Sequence, residues 1–442
     1  MQDSTASVRV SEHARPSSRV PGFYRLSLDE RHRELVRRLS LDENERALLL
    51  GGGLQPSAAD HIVENVIGTY ALPLGLGLNF QVNGRDYLVP MCVEEPSVIA
   101  AASNAARMVR EGGGFTADAD PPLMIAQVQL YDVPDNAAAT QAILAQKAQI
   151  LATCDAQQPG LLKIGGGARE LHVRELEASG PQQRGMLVVH IVADCRDAMG
   201  ANMVNTMAEA VAPTLAQLSR GQFGLRILSN LADRRVVRVS CRVPVEMLVS
   251  DGFSGAEVAD GIVLASRFAE LDPYRAATHN KGIMNGVDPV VIATGNDWRG
   301  IEAGAHSYAA RDGVYRPLAI WRRDDQGDLR GQLAMPMAVA TVGGTLRAHP
   351  GARLSLKILS VQTGTELGMV IGAVGLASNL AALRALAAEG IQHGHMALHA
   401  RSVAVAAGAT GALVDEVAAE LSRSGQVTIE HATAVLARRR AQ

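Results

Sequence analysis

Residues 272–298 read DPYRAATHNKGIMNGVDPVVIATGNDW, and the rest of the chain is organised around them. Arg275, His279, Asn280, Lys281, Asn285, Asp288, Asn296 and Asp297 crowd about a short apolar run, Pro289 to Ala293, read as a strand and bounded by Gly282, Gly286 and Gly295. A solvated loop followed by a buried strand is one account. The other is a site, because buried polar groups cost about 1–3 kcal/mol each unless paired. In that reading a Lys ammonium lies near an Asp carboxylate, with Asn side chains as neutral hydrogen-bond partners.

The 442 residues suggest two or three domains. Aromatics make up only 3%, so Ala, Val, Leu and Ile must build the core. A net charge of -3 argues against nucleic acid or an acidic membrane as the main partner. Cys92, Cys154, Cys195 and Cys241 are scattered without metal-ligand spacing, which reads as reduced thiols in a cytoplasmic protein. The N-terminus is polar and has no signal-peptide core. The longest apolar run, Leu367 to Leu383, is broken by three glycines and reads as a buried helix rather than a membrane span.

Outward from the central stretch, residues 1–18 read as a disordered tail. Ser27 with Glu30, and Ser40 with Glu43, have capping-box spacing. Asn83-Gly84 predicts a tight hairpin turn, and Gly75 and Gly77 predict close backbone packing. Pro96 fits the first turn of an Ala-rich helix, with Glu94 and Glu95 at its N-terminus. From about 120 to 228 the order is strand, helix (Ala137 to Cys154), strand, strand, helix, strand, which predicts an inserted ferredoxin-like module. Within it, DAMGAN places small residues at a helix start, where free N–H groups attract anions. His395 and His399 have the spacing of a helical metal pair, but no HExxH glutamate and no nearby cysteine complete a site, so no metal is expected. The fold class is α+β: a large helical/α+β domain (19–120 and 229–389), the insert (121–228) and a small C-terminal helical flap (390–442), hinged at Gly390 and Gly394.

HNKGIMNGVDP followed by ATGNDWR resembles the catalytic segment of hydroxymethylglutaryl-coenzyme A (HMG-CoA) reductase of the soluble bacterial class II type. ENVIGTYALP (64–73), PMCVEEPS (90–97), DAMGANMVN (197–205) and GIQHGHMALHAR (390–401) follow in the family's order, so the resemblance spans nearly the whole chain. It implies that the large domain binds HMG-CoA and the insert binds NAD(P), with two hydride transfers linking HMG-CoA to mevalonate and free coenzyme A. It makes Glu95 the proton donor, Lys281 the oxyanion partner, Asp297 the residue that orients Lys281, and His395 the acid for the leaving thiolate. Arg275 and Asn285 would hold substrate polar groups, Ser97 would line the substrate or coenzyme A region, and Arg25 is a candidate for the coenzyme A phosphates. Asp197, Met199, Gly200, Ala201, Asn202 and Asn230 match the dinucleotide site. Where NAD-preferring members carry a ribose-binding acid, an ungapped alignment places Gln158, and Asp155, three positions earlier, would serve if the loop is shifted; the expectation is NAD, with NADP as the alternative. The resemblance also implies a homodimer, or a higher oligomer of dimers, with the site at the subunit interface. Two rival readings are a coenzyme A-thioester lyase or transferase without a redox step, and a non-catalytic binding homologue.

Overall fold

The computed structural model describes residues 17–177, 185–250, 252–388 and 400–440. The chain opens with helices α1 (Leu28–Leu39), α2 (Glu43–Leu50) and α3 (Pro56–Ala59). Ser27 and Glu30 form the expected capping box. The second box lies at Asp42 and Glu45 rather than at Ser40 and Glu43, because Ser40 takes a left-handed φ of 49° and closes α1 instead. The predicted tail also ends early. Ser18 is buried, donates from Oγ to the Phe80 carbonyl (2.9 Å), and gives its amide to Asp86 Oδ2 (2.9 Å).

Strands β1 (Leu74–Val82) and β2 (Arg85–Cys92) form the predicted hairpin. Asn83 (φ 49°) and Gly84 (φ 76°) supply the two positive φ angles that such a two-residue turn requires. Helix α4 (Val98–Glu111) packs behind them and leads into β3 (Phe115–Ala119). Ser97, not Pro96, borders this helix. Its φ of 76° stops helical geometry from running back to Pro96, so Glu94 and Glu95 stand on the preceding link.

Next come β4 (Leu123–Tyr131), α5 (Asn136–Ala145), α6 (Lys147–Ala156), α7 (Pro159–Lys163), β5 (Gly167–Leu176), β6 (Met186–Asp194), α8 (Ala201–Ser219) and β7 (Gln222–Leu228). The single helix expected over Ala137 to Cys154 is two helices, broken at Gln146. The sheet order β5-β6-β4-β7 is that of a ferredoxin-like unit. It buries its own core, including Met124, Val128, Ile143, Leu171, Ile191 and Val211.

The chain then returns through β8 (Val236–Val243), α9 (Gly255–Leu271), α10 (Pro273–Ala293), α11 (Trp298–Ala309), β9 (Ala319–Arg323), β10 (Leu329–Pro336), α12 (Gly344–Ala348), α13 (Pro350–Leu359) and α14 (Gly364–Ala387). The larger sheet has the order β2-β1-β3-β8-β10-β9. Helix α14 is long and apolar enough to cross a bilayer, yet 67% of its most apolar stretch is buried inside the protein. Helices Ala412–Ser424 and Ile429–Arg440 bury a separate small core with Val417, Leu421, Val435 and Leu436. The hinge glycines expected at 390 and 394 lie outside the described residues.

The central stretch departs from its sequence reading. Pro289 to Ala293 is not a strand but the last turns of α10. Packing overrides β propensity here. A Cβ on Gly286 would lie 2.7 Å from the Val374 carbonyl, and one on Gly375 would lie 2.9 Å from Val287 Cγ2. Bare backbone on both sides lets α10 and α14 approach closely, and the valines at 287, 290 and 291 are thereby buried. Asn379 of α14 completes the junction, accepting from Trp321 Nε1 (2.7 Å) and donating to the His279 carbonyl (3.3 Å). Asn379→Ala orphans both partners and opens a small cavity. It should lower unfolding free energy by about 2–4 kcal/mol, read from the denaturant midpoint; a loss below about 0.5 kcal/mol would refute this account of the junction.

Candidate active site

Two segments 186 residues apart meet at the centre: Lys281 Nζ lies 3.1 Å from Glu95 Oε2. Helix α10 carries Lys281 and packs on both β2 and α4, the elements that flank Glu95. Stability does not explain this pair. Its side chains are 62% and 37% exposed, and exposed ion pairs contribute about 0–1 kcal/mol. The neighbouring Ser97 is costly as well: it holds a left-handed φ of 76°, and its buried Oγ has no partner. Backbone strain and an orphaned hydroxyl together beside Glu95 suit a place shaped for a ligand.

Helix α10 divides its polar residues between faces. Asn285, half-buried, follows Lys281 by one turn on the same face. His279 and Asn280 face inward and anchor the helix. His279 Nε2 donates to the Ala319 carbonyl (3.0 Å), and Asn280 bonds the Arg316 carbonyl and the Leu318 amide (2.9 and 2.8 Å). Burial, and then the charge of Arg275, push His279 down to about 4, so it is neutral at physiological pH. Arg275 is half-buried in the first turn of α10. Arg25 is exposed, and its Nε donates to the Tyr24 hydroxyl (2.9 Å).

Asp297 caps α11, accepting from the Gly300 amide (3.1 Å), and lies 3.8 Å from Arg299. Asn230, at the exit of the inserted unit, comes to the same turn. A Cβ on Gly300 would stand 2.8 Å from Asp297 Oδ2 and 3.4 Å from Asn230 Oδ1. Among the described residues, no ion pair joins Lys281 to Asp297 within one chain. His395 lies outside the described residues.

Helix α8 begins at Gly200 with no side-chain cap, which leaves its first amides open to an anion. Gly200 itself is dictated by packing. Its φ is 102°, and a Cβ would stand 2.4 Å from Cys195 Sγ, so the core alone already demands a glycine here. Met199 and Ala201 are half-buried and Asn202 is exposed at this helix start. Asp197 Oδ1 accepts from the Gly364 amide (2.9 Å), and Asp155 Oδ1 accepts from the Ala168 amide (2.7 Å). Each carboxylate thus has a structural task that the sequence did not announce.

Sequence reasoning missed Arg235. It is buried, and its guanidinium donates to the carbonyls of Ala198 (3.1 Å), Met199 (3.4 Å) and Val339 (2.6 Å). Burial lowers its pKa to about 10, so it remains charged at physiological pH. One residue on, Ala340 exchanges two hydrogen bonds with the Asn296 side chain (2.7 and 3.2 Å). A continuous clamp therefore runs from the residue before Asp297 to the loop before α8. A charged residue abutting a buried strand, in LADRRVVRV, was the available signal.

The fold and site are those of a two-part α+β protein, with a ferredoxin-like insert and a lysine–carboxylate centre. The sequence profile of hydroxymethylglutaryl-coenzyme A reductase matches residues 27–400. The chain is 49% identical over 424 residues to a 3-hydroxy-3-methylglutaryl-coenzyme A reductase of Archaeoglobus fulgidus, covering 96% of this chain and 95% of that one. It is 33% identical to a probable reductase of Borreliella burgdorferi, over 78% of this chain and 77% of the other. A solved reductase of Streptococcus pneumoniae superposes with a TM-score of 0.80 at 43% identity, over 95% of this chain and 99% of that one. A class II structure from the same organism, bound to NADPH in open conformations, superposes at 0.79 with 45% identity, over 83% of this chain and 99% of that one. The chain belongs to the hydroxymethylglutaryl-coenzyme A reductase family, in its class II branch. Membership does not favour the two rival readings, a redox-free thioester enzyme or a non-catalytic homologue.

The clamp makes a specific forecast. Arg235→Met should raise KM for the nicotinamide nucleotide at least fivefold while shifting KM for HMG-CoA less than twofold. Equal shifts in both constants would mean that Arg235 serves the fold alone.

Proposed function

We propose that the protein interconverts HMG-CoA with mevalonate and free coenzyme A through two hydride transfers, and that Glu95 and Lys281 carry the polar chemistry. The 3.1 Å contact between them carries this reading. A nicotinamide nucleotide supplies the hydride at each reduction. Lys281 has three N–H donors and gives one to Glu95, so it keeps others for the carbonyl oxygen that becomes an oxyanion. Glu95, one hydrogen bond away, passes a proton to that oxygen as negative charge collects. His395 protonates the departing thiolate, a task suited to a group titrating near neutrality. Arg275 and Asn285 hold the carboxylate and hydroxyl of the substrate. Ser97 Oγ faces the acyl or coenzyme A portion, and Arg25 the coenzyme A phosphates.

The insert (121–228) would hold the nucleotide through Asp197, Met199, Gly200, Ala201, Asn202 and Asn230, and the uncapped start of α8 suits its phosphates. Asp155 is the candidate partner of the adenosine ribose, which would favour NAD over NADP. The large domain spans 19–120 and 229–389, and residues 390–442 form a flap that brings in His395.

A homodimer completes the site, with Lys281 of one protomer facing Asp297 of the other. Leu264, Phe268 and Leu271 form an exposed apolar stripe on α9, and Ile67 and Tyr70 of the ENVIGTYALP stretch are almost fully exposed. Uncovered apolar surface of this kind supports burial against a second copy. The four free cysteines, three of them buried, support work in a reducing cytoplasm.

The test is mevalonate oxidation with free coenzyme A, using NAD and NADP in parallel and following the reduced nicotinamide by absorbance. Lys281→Ala should cost about 10²–10³-fold in kcat, the typical loss when one oxyanion donor is removed. Full turnover in that variant would overturn the mechanism. Preference for NADP would remove Asp155 from the ribose, and full activity in a sedimenting monomer would remove the shared site.

A further inference from the structure

Asp288 follows Lys281 by seven residues, two turns along the same face of α10. Its Oδ1 is buried without a partner among the polar groups of the protein. Its carboxyl meets that of Glu302 on α11. From Glu302 a row of contacts continues: Glu302 Oε2 to His306 Nε2 (2.6 Å), then His306 Nδ1 to the Tyr315 hydroxyl (2.6 Å). Tyr315 directly precedes Arg316, whose carbonyl accepts from Asn280 (2.9 Å), the residue that anchors α10 to 316–318.

A carboxylate only accepts hydrogen bonds, so two carboxylates in contact leave each other unsatisfied and repel. One proton between them cures both faults. Glu302 already accepts from the imidazole, which places the proton on Asp288. The contacts then run from Asp288 O–H to Glu302, from His306 Nε2–H to Glu302, and between His306 Nδ1 and the Tyr315 hydroxyl. Burial, with Glu302 adding to it, pushes the Asp288 carboxyl up to about 8. Among the described residues Glu302 is the charged group acting on Asp288, with His306 and Tyr315 beyond it and Lys281 two turns away on its own helix.

We infer that Asp288 is a positioning residue of the reductase site: carrying a proton shared with Glu302, it fixes α10 against α11 and so holds Lys281, on the same face of α10, in its place beside Glu95. This rests on the reductase reading, because it takes its meaning from Lys281 and Glu95. Loss of the shared proton leaves two anions facing each other between the helices, and the lysine shifts from its place. The sign is fixed by the direction of the shift. The folded carboxyl holds its proton more tightly than the unfolded one, whose ordinary value is 3.8. The stabilisation from this contact is therefore full below that value and is lost as pH rises towards about 8.

The experiment measures kcat and KM from pH 5.5 to 9.5, together with Tm of the unliganded protein, for the parent, Asp288→Asn and Asp288→Ala. Asparagine keeps a donor towards Glu302 but cannot titrate. The parent kcat should fall near pH 8 with KM for HMG-CoA steady. Asp288→Asn should keep at least a third of neutral-pH kcat and move that fall by more than one pH unit, or abolish it. Asp288→Ala should lose tenfold or more at every pH, again in kcat rather than KM. The parent Tm should decline from pH 5 to 8.5 more steeply than that of Asp288→Asn. Superimposable pH profiles and Tm slopes for parent and Asp288→Asn would overturn the proposal. A parent that turns over neither nucleotide defeats the reductase reading and the positioning role with it, and the Tm comparison still decides the shared proton by itself.

Discussion

The close crossing of α10 and α14 is the constraint on which the rest depends. Two glycines, Gly286 and Gly375, remove the side chains that would hold the helices apart. Once α10 is seated there, its remaining faces have fixed neighbours. His279 and Asn280 reach the β9 side, while Lys281 is carried to Glu95. The lysine is thus aimed by packing at three places along one helix, not by its own ion pair. That suits catalysis, because an ammonium aimed in advance needs no reorganisation when charge develops.

The second organising feature is the clamp from Asn296 through Ala340 and Val339 to Arg235, and on to the carbonyls of Ala198 and Met199. It ties the turn before Asp297 to the loop before α8. The inserted unit has its own core, so its sheet could sit in many orientations. A buried guanidinium with three carbonyl partners narrows that choice strongly, since each bond to a charged group contributes about 1.5–3 kcal/mol. Asp197 adds to the same tie through the Gly364 amide.

Much of this was legible in the sequence. The order of strands and helices from 120 to 228 identified the ferredoxin-like unit, and the order of motifs identified the family. The Asn-Gly turn and the Ser27 cap were local and came out as read, because adjacent residues decide them. Pro289 to Ala293 misled, since β-branched composition signals burial without saying whether a strand or a helix buries it. Pro96 misled because nothing in the sequence marks Ser97 as left-handed. The partners of Arg235 and Asp155 and the Asp288–Glu302 contact escaped the sequence for a different reason: each depends on backbone atoms or side chains distant in sequence, which only the closed fold brings together.

The central claim is that Glu95 and Lys281 act as one unit on the carbonyl oxygen. A double-mutant cycle on kcat with Glu95→Gln and Lys281→Met tests it most directly. Groups that act together lose most of their effect with the first substitution, so the double variant should be at most a few-fold slower than the slower single variant. Losses that multiply, each substitution costing its full factor in the presence of the other, would show two independent roles and contradict the account.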